Sequence, residues 1–480
     1  MASRLYTWLD ERLRLTPIRI ALLEEPIPGG ASWIYVFGSV TLFAFLLQMV
    51  TGMFLMLSYA PTADHAYESV RYIQEEVPFG AFIRGLHHWG ASLMMVAIGL
   101  HMLQVFLYGA YKRPRELMWL VGVVLFLITL AFGFSGYLLP WDQRAYWATQ
   151  VGVNIVGTIP LIGDTLVRII RGGQTLGTMT LSRFFALHTV FLPWLLMGLI
   201  VLHLVILRRV GPAGPWDAER AAAIREPFWP KQVAMDAIAM FAAFVILVGL
   251  ALALPPPLAE RANPADTTFK PVPEWYFLWY YELLKYFRGR WEIVGTLLIP
   301  SCLYLLLFLL PFLDRRPERR PFSRPIVIGA GGLLLAVVFT FLTISLRAVA
   351  SIPTPDPSVT RGRQLYQSLG CAACHQIHGE GSTVGPDLST VGSRQDAARL
   401  IQHLKAPDSV VRGSVMPSYA SLTEAELRES GQLPAEFEMM RCTMGVQAET
   451  MAKTHKRETR QAPTDSRAAS RRQHNKLTYA

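Results

Sequence analysis

Apolar residues run along this chain in long blocks rather than at amphipathic intervals, and most charges fall between the blocks. Crossing a hydrocarbon core takes about 20 residues as a helix. Seven blocks are long enough: roughly 33–58, 82–108, 117–139, 183–207, 233–254, 293–313 and 326–349. The pattern predicts an all-α membrane protein, because a helix satisfies its own backbone hydrogen bonds where no water can. Residues 1–30 are charged, proline-containing and at most amphipathic, so no cleavable leader is expected. Beyond residue 350 the long apolar blocks cease, which sets 351–480 apart from the membrane part.

Composition and charge then orient the bundle. Of 480 residues 52% are hydrophobic and only 17% charged, and the mean hydropathy is +0.31, unlike a soluble enzyme. Lys112, Arg113 and Arg115 follow the second block, Arg208 and Arg209 the fourth, and Arg315, Arg316, Arg319, Arg320 and Arg324 the sixth. All three loops lie on one side, which the positive-inside rule makes cytoplasmic. The N-terminus is then inside, and 351–480 is expected on the periplasmic face of a bacterial-type inner membrane. Residues 441–480 hold nine Lys or Arg against three Asp or Glu, so the tail over 431–480 reads as solvated and disordered. Nothing in the sequence points to nucleic acid.

Histidines inside two of the apolar blocks need a reason, since burying an unpaired imidazole costs free energy. His87 and His101 lie fourteen residues apart in the second block, and His188 and His203 fifteen apart in the fourth. At about 1.5 Å per residue each pair is separated by roughly 21 to 23 Å along its helix. At about 100° per residue, the members of the first pair differ by roughly 40° around the helix and those of the second by about 60°. His88 points elsewhere and reads as a neighbour. Both helices run inward, so His87 and His188 share the outer depth and His101 and His203 the inner one. Facing imidazoles in a four-helix bundle can supply both axial ligands of a haem iron, so two stacked b-type haems are expected. Gly38 and Gly52, and Gly122 and Gly136, again fourteen apart, offer room on the first and third helices. Arg84 and Arg183 precede the outer histidines and are candidates for haem propionates, with interfacial snorkelling the plainer reading.

A further motif lies in the outer part. Cys371, Cys374 and His375 form Cys-x-x-Cys-His, the pattern that holds a c-type haem by two thioether bonds and a proximal imidazole. A redox dithiol or half of a zinc site are the rivals, but zinc would need ligands from scattered His378, His403 and Cys442. Cys302, within the sixth block, reads as a small buried hydrophobe. The stretch over 358–427 resembles a class I cytochrome c, which makes Met416 in "GSVMPSYASL" the distal haem ligand.

With "GYLLPWDQRAYWA", "SRFFALHT" and "PVPEWYFLWYYELLK" in place, residues 5–350 resemble cytochrome b of the quinol:cytochrome c oxidoreductase (bc-type) family. Pro273, Glu274, Trp275 and Tyr276 match the family signature. The fifteen-residue step and the seven-block total look like the chloroplast-type form, with its cytochrome b and subunit IV fused through 208–232. The resemblance implies a di-haem bundle over 1–210, a three-helix part over 211–350, and a cytochrome c domain over 351–430. Val36 stands where the chloroplast-type form has a haem-attaching cysteine, so that extra haem is not expected.

The resemblance also implies two quinone pockets. The outer one, for quinol oxidation, would be lined by Tyr137 to Tyr146 and by Glu274 as proton acceptor; a loop-stabilising hydrogen bond is the other reading of Glu274. Arg208 and Asp236 match the inner, quinone-reducing site, or are ordinary interfacial charges. Electrons would pass from outer to inner haem b, and protons would leave on the outer side. No Rieske-type Cys/His pairs occur, so a separate iron–sulfur subunit is expected, with a membrane quinone pool, a downstream c-type cytochrome or equivalent acceptor, and a homodimeric complex. A transmembrane haem conduit without bifurcating quinol oxidation is the competing reading, and a plain membrane anchor for cytochrome c a third.

Overall fold

The computed structural model describes residues 2–214, 223–264, 269–351, 361–362, 365–366, 368–377 and 380–428. The basic tail, His378 and Cys442 lie outside the described residues. The chain divides into two compact units, 1–351 and 352–480.

Among the described residues seven helices are long and apolar enough to cross a membrane: Trp33–Met56, Gly80–Leu107, Glu116–Tyr137, Thr178–Val210, Lys231–Ala253, Gly289–Leu313 and Pro325–Ala350. They are called the first to seventh spans below. All seven expected blocks are present, with ends shifted by five residues at most. The span ends have identifiable chemical causes. Gly211, with φ 71°, ends the fourth span, and its last carbonyls are capped from the third: Arg115 donates to Val210 O and Gly211 O, both at 2.9 Å. A cation at a helix C-terminus meets the negative end of the dipole and satisfies orphaned acceptors. Three successive prolines at 255–257 follow the fifth span, and Pro325 opens the seventh at a position where its missing N–H costs nothing.

Two spans depart from regular α-helix. Leu187–Phe191 and Val294–Leu298 are π-helical turns, and Pro193 and Pro300 follow them. A proline four residues on cannot donate to the carbonyls at 189 and 296, and its ring crowds them, so the backbone widens there. The first π turn contains His188 and takes up one residue more than an α turn. Fifteen residues from His188 to His203 therefore cover what fourteen cover in the regular second span. The offset of about 60° expected from a uniform helix is corrected to about 40°, matching the other pair.

The first span packs on the second and the third on the fourth, forming the four-helix bundle; the fifth lies against the first and second, and the sixth against the third. Ala44, Phe45, Met94, Ile128, Leu192 and Leu196 form a buried apolar cluster at mid-depth, between the two histidine levels. At the His87 and His188 end of the bundle the helices Gln143–Gly157 and Gly163–Arg171 follow the third span, with Leu138, Trp141, Tyr146 and Leu181 in the core beneath them. At the opposite end residues 26–28 pair antiparallel with 225–227, tying the N-terminal segment to the approach of the fifth span.

The second unit is described over parts of 361–428. Its helices are short, among them Ala397–Lys405, whose N-terminus is capped by Asp396 through Arg399 N. A two-stranded pair joins Gln376–Ile377 to Glu380–Gly381 just after the Cys-x-x-Cys-His motif.

Candidate functional site

The bundle brings the outer histidines face to face. Their ring centroids, His87 to His188, are 6.4 Å apart. Two metal–imidazole bonds of about 2 Å each, plus half a ring on either side, fill that separation. Hydrogen bonds also select which nitrogen is free. Thr51 Oγ1 donates to Leu47 O at 2.7 Å, so its remaining capacity is as an acceptor, and His87 Nδ1 lies 2.9 Å from it. His188 Nδ1 lies 3.1 Å from Ser135 Oγ, which in turn donates to Phe132 O at 3.3 Å. Each imidazole thus carries its proton on Nδ1 and leaves Nε2 for a ligand, the arrangement by which an outer group fixes a metal-binding histidine. Neither hydroxyl was singled out from sequence. A signal existed: each immediately precedes an outer glycine, Gly52 or Gly136.

The glycines have a definite neighbour. A Cβ on Gly52 would lie 3.3 Å from His87 Cε1, one on Gly136 2.5 Å from His188 Cε1, one on Gly38 3.4 Å from His101 Cε1, and one on Gly122 3.6 Å from His203 Cε1. First-span glycines thus face second-span histidines, and third-span glycines face fourth-span histidines. At the inner level, His101 Nδ1 and His203 Nδ1 are buried with no hydrogen-bond partner among the described residues. Buried imidazoles on two facing helices, with side-chain-free cradles behind them, fit ligation of a planar macrocycle. His88 stands apart from both tiers, its ring against Trp89 at 5.1 Å. Arg84 is engaged by protein: it donates to Pro256 O at 2.6 Å, to Pro257 O at 3.2 Å and to Gln74. Arg183 donates to Ile169 O.

At the His87 and His188 end of the bundle the third span and its following turn hold the loop that precedes the sixth span. Tyr137 donates its hydroxyl to Val272 O at 3.2 Å. Buried Asp142 accepts Ala145 N at 2.8 Å, capping the next helix, and Ala259 N at 3.1 Å. From the second span, Ser92 Oγ lies 3.2 Å from the Trp275 indole nitrogen. Glu274 sits at the N-cap of the helix Trp275–Leu284 between these anchors, with no side-chain cap bond of its own. Burial raises its carboxyl above the usual carboxylate range, the Arg144 guanidinium opposes that shift, and the Asp142 charge reinforces it. Tyr146 is packed in the apolar cluster against Trp141, at a ring distance of 5.5 Å.

The inner candidates have separate partners. Arg208 pairs with Glu25 at 2.6 Å and lies over the Phe228 ring. Asp236 accepts Ser39 Oγ and Gln232 Nε2, both at 2.9 Å, and Gln232 Oε1 accepts Ser32 N at 2.8 Å. In the second unit, His375 Nδ1 donates to Pro386 O at 3.0 Å, leaving Nε2 free, and a Cβ on Gly385 would lie 2.7 Å from its Cε1. Cys371 and Cys374 are free thiols, with Cys371 raised by burial. Met416 is half-buried, its N–H on Ser414 Oγ. Among the described residues no group of three or more His, Cys, Asp or Glu is set to hold a metal ion, which leaves the zinc reading without a site there.

Three family models match the chain: "Cytochrome b/b6/petB" over 22–211, "Cytochrome b(C-terminal)/b6/petD" over 261–363, and "Cytochrome C oxidase, mono-heme subunit/FixO" over 380–479. A menaquinol:cytochrome c reductase cytochrome b subunit of Geobacillus thermodenitrificans is 45% identical over 223 residues, covering 45% of this chain and 100% of the relative. The cytochrome bc complex cytochrome b subunit of Chlorobaculum thiosulfatiphilum is 38% identical over 314 residues, covering 64% of this chain and 73% of the relative. Among solved structures a chain of "Hyperthermophilic respiratory Complex III" matches with a TM-score of 0.65 and 30% identity, over 76% of this chain and 96% of that one. Seven spans, two histidine tiers and these matches agree: the chain belongs to the cytochrome b/b6 family, as a bc-type cytochrome b that continues into a mono-haem cytochrome c domain.

Proposed function

We propose that this chain is the membrane core of a quinol:cytochrome c oxidoreductase, taking electrons from quinol on the outer side and returning electrons to quinone on the inner side. The observation that carries the reading is the loop around Glu274, held by Tyr137, Asp142 and Ser92 at the outer end of the histidine-bearing bundle. A plain haem conduit has no use for such a loop. His87 with His188, and His101 with His203, would each hold one b-type haem, and His375 with Met416 a c-type haem bonded to Cys371 and Cys374. When bound, haem supplies one-electron redox chemistry.

The protein's own work is positioning and proton handling. A carboxylate at Glu274 takes a proton from a bound quinol hydroxyl, and burial, by raising its proton affinity, makes it a better acceptor. The hydroxyl of Tyr137, committed to Val272 O, fixes the loop in place. On the inner side the Asp236 carboxylate, which accepts from Ser39 and Gln232, would carry protons to quinone, and Arg208, paired with Glu25, would supply a fixed positive charge there. The first high-potential acceptor is a separate iron–sulfur subunit, a downstream c-type cytochrome takes electrons onward, and the complex is a homodimer. The arginine-rich loops place the N-terminus in the cytoplasm and the cytochrome c domain outside a bacterial inner membrane.

The test is quinol:cytochrome c activity of the purified complex, with a haem count. Two b haems and one c haem per chain are expected, the c haem alone surviving acid–acetone extraction. Met416→Ala should keep haem c attached and lower its potential, because a soft thioether favours the ferrous state. Intact haems without any quinol-driven reduction of haem b would replace this reading with the conduit.

A further inference from the structure

Helices in a membrane are not driven together by the hydrophobic effect, because lipid tails are as apolar as the faces they would cover. What lipid cannot replace is a partner for a polar group, above all for a charge. The contacts between the first four spans and the last three have this character. Pro311 has no N–H to give Leu307 O, four residues back, and the Trp119 indole of the third span donates to that carbonyl at 2.7 Å. Leu254 O, past the end of the fifth span, accepts the Trp89 indole of the second at 2.8 Å. In the opposite direction, Arg324 at the head of the seventh span donates to Phe106 O and Leu107 O, the last carbonyls of the second. Each part donates side-chain hydrogen bonds to backbone carbonyls of the other.

The caps on the inner side converge on one carboxylate. Asp314, 6% exposed, accepts Tyr111 OH at 2.5 Å, Lys112 Nζ at 2.9 Å and Arg324 Nη1 at 3.2 Å. Lys112 is buried as well, and its other two protons go to Arg316 O and Glu318 O, both at 2.8 Å. Tyr111 is fully buried, and its hydroxyl also accepts Arg324 Nη1 at 2.9 Å. Two residues of the first part and two of the second therefore share one water-excluded network. A further ion pair between the parts among the described residues, Arg261 with Asp64 at 4.0 Å, is exposed. Two separate family models cover the parts.

We propose that the Asp314 network is the joint on which association of the two parts depends once the chain between them is cut, the pairing of 26–28 with 225–227 being too short to hold them by itself. Removing one member of a buried, mutually satisfied ion cluster strands the others. A joint of this kind is therefore more sensitive to loss of one charge than to loss of an apolar contact.

The experiment uses the full chain, carrying a specific protease site within 215–222 and a tag at its N-terminus, purified in mild detergent. After complete cleavage, capture of the tag should bring down the second fragment in equal amount, with haem b absorbance retained. Asp314→Asn in the same chain should release the second fragment on cleavage, its dissociation constant rising by roughly a hundredfold to a few thousandfold, the size of effect expected when a buried pair is broken. If Asp314→Asn does not accumulate, Tyr111→Phe decides: it removes one donor, keeps the ring packing, and should release a smaller but measurable fraction. Separation of the fragments in the parent sequence overturns the proposal. So does retention equal to the parent in Asp314→Asn, or in Tyr111→Phe where that variant decides.

Discussion

The outer and inner histidine tiers repeat the same residues at nearly the same spacing, yet the surroundings of the rings differ. The outer imidazoles each place Nδ1 against a hydroxyl, Thr51 or Ser135, whereas the inner Nδ1 atoms are buried without a partner among the described residues. The third-span glycine is also closer to its ring outside than inside: an added Cβ would stand 2.5 Å from the ring at Gly136 and 3.6 Å at Gly122. A duplicated motif thus sets the ligand type and leaves its tuning to neighbours, since an outer-shell hydrogen bond changes the basicity of the ligand.

The comparison breaks most completely if the tiers are not two sites. His87→Ala or His188→Ala should each remove one b haem, and His101→Ala or His203→Ala the other, read as half the haem b of the parent with distinguishable residual spectra. Variants from both tiers that lose the same haem would dissolve the pairing.

Glu274 belongs to the outer tier's side of the membrane. Glu274→Gln should slow quinol-driven reduction of haem b by about tenfold to a hundredfold, at or below the low end for a lost general base, while dithionite reduces both haems as in the parent. Because burial raises this carboxyl, the parent rate should climb with pH through an inflection above the ordinary glutamate value of about 4.3. The variant should lack that inflection, and its persistence would assign it to another group.

A smaller effect separates two glycines. At Gly136 an added methyl meets the His188 ring well inside contact distance, and overpacking of this kind typically costs about 1–3 kcal/mol. Gly136→Ala should lower outer haem content on purification, and Gly122→Ala should leave the inner content unchanged. Equal losses in both variants would remove the steric distinction between the tiers.

The finest prediction concerns the hydroxyls. Thr51→Val and Ser135→Ala remove the acceptor from the outer imidazoles, reduce their basicity, and should raise the midpoint potential of the outer haem alone. Thr51→Ser should restore the parent value in a potentiometric titration. A shift of both haems together would point to a general change in the bundle.

Much of this site was legible along the chain because its signals are one-dimensional. Span length, the fourteen-residue steps and Cys-x-x-Cys-His depend on rise per residue and on chemistry within one turn. The fifteen-residue step was legible as a number and misleading as an angle, because the π turn before Pro193 lies between the two histidines. That Pro311 leaves Leu307 O open can be inferred from sequence, but the choice of Trp119 to fill it cannot, since 188 residues separate the two. Tyr146 stood in the same stretch as Tyr137, and packing against Trp141 set it in an apolar cluster while Tyr137 reached the loop.

Taken alone, the sequence determined seven helices long and apolar enough to cross a membrane, imidazoles at two levels of two of them, and a Cys-x-x-Cys-His motif beyond the last. Each follows from free energies local to one helix or one turn: transfer of apolar side chains into lipid, backbone hydrogen bonding where water is absent, and the reach of two thiols and an imidazole. Only the tertiary structure decided which hydroxyl orients which histidine, which carbonyl each arginine and tryptophan caps, and that Asp314 gathers Tyr111, Lys112 and Arg324. Those choices depend on which helices become neighbours, and an unpaired polar group buried in the bundle leaves few alternatives once they do.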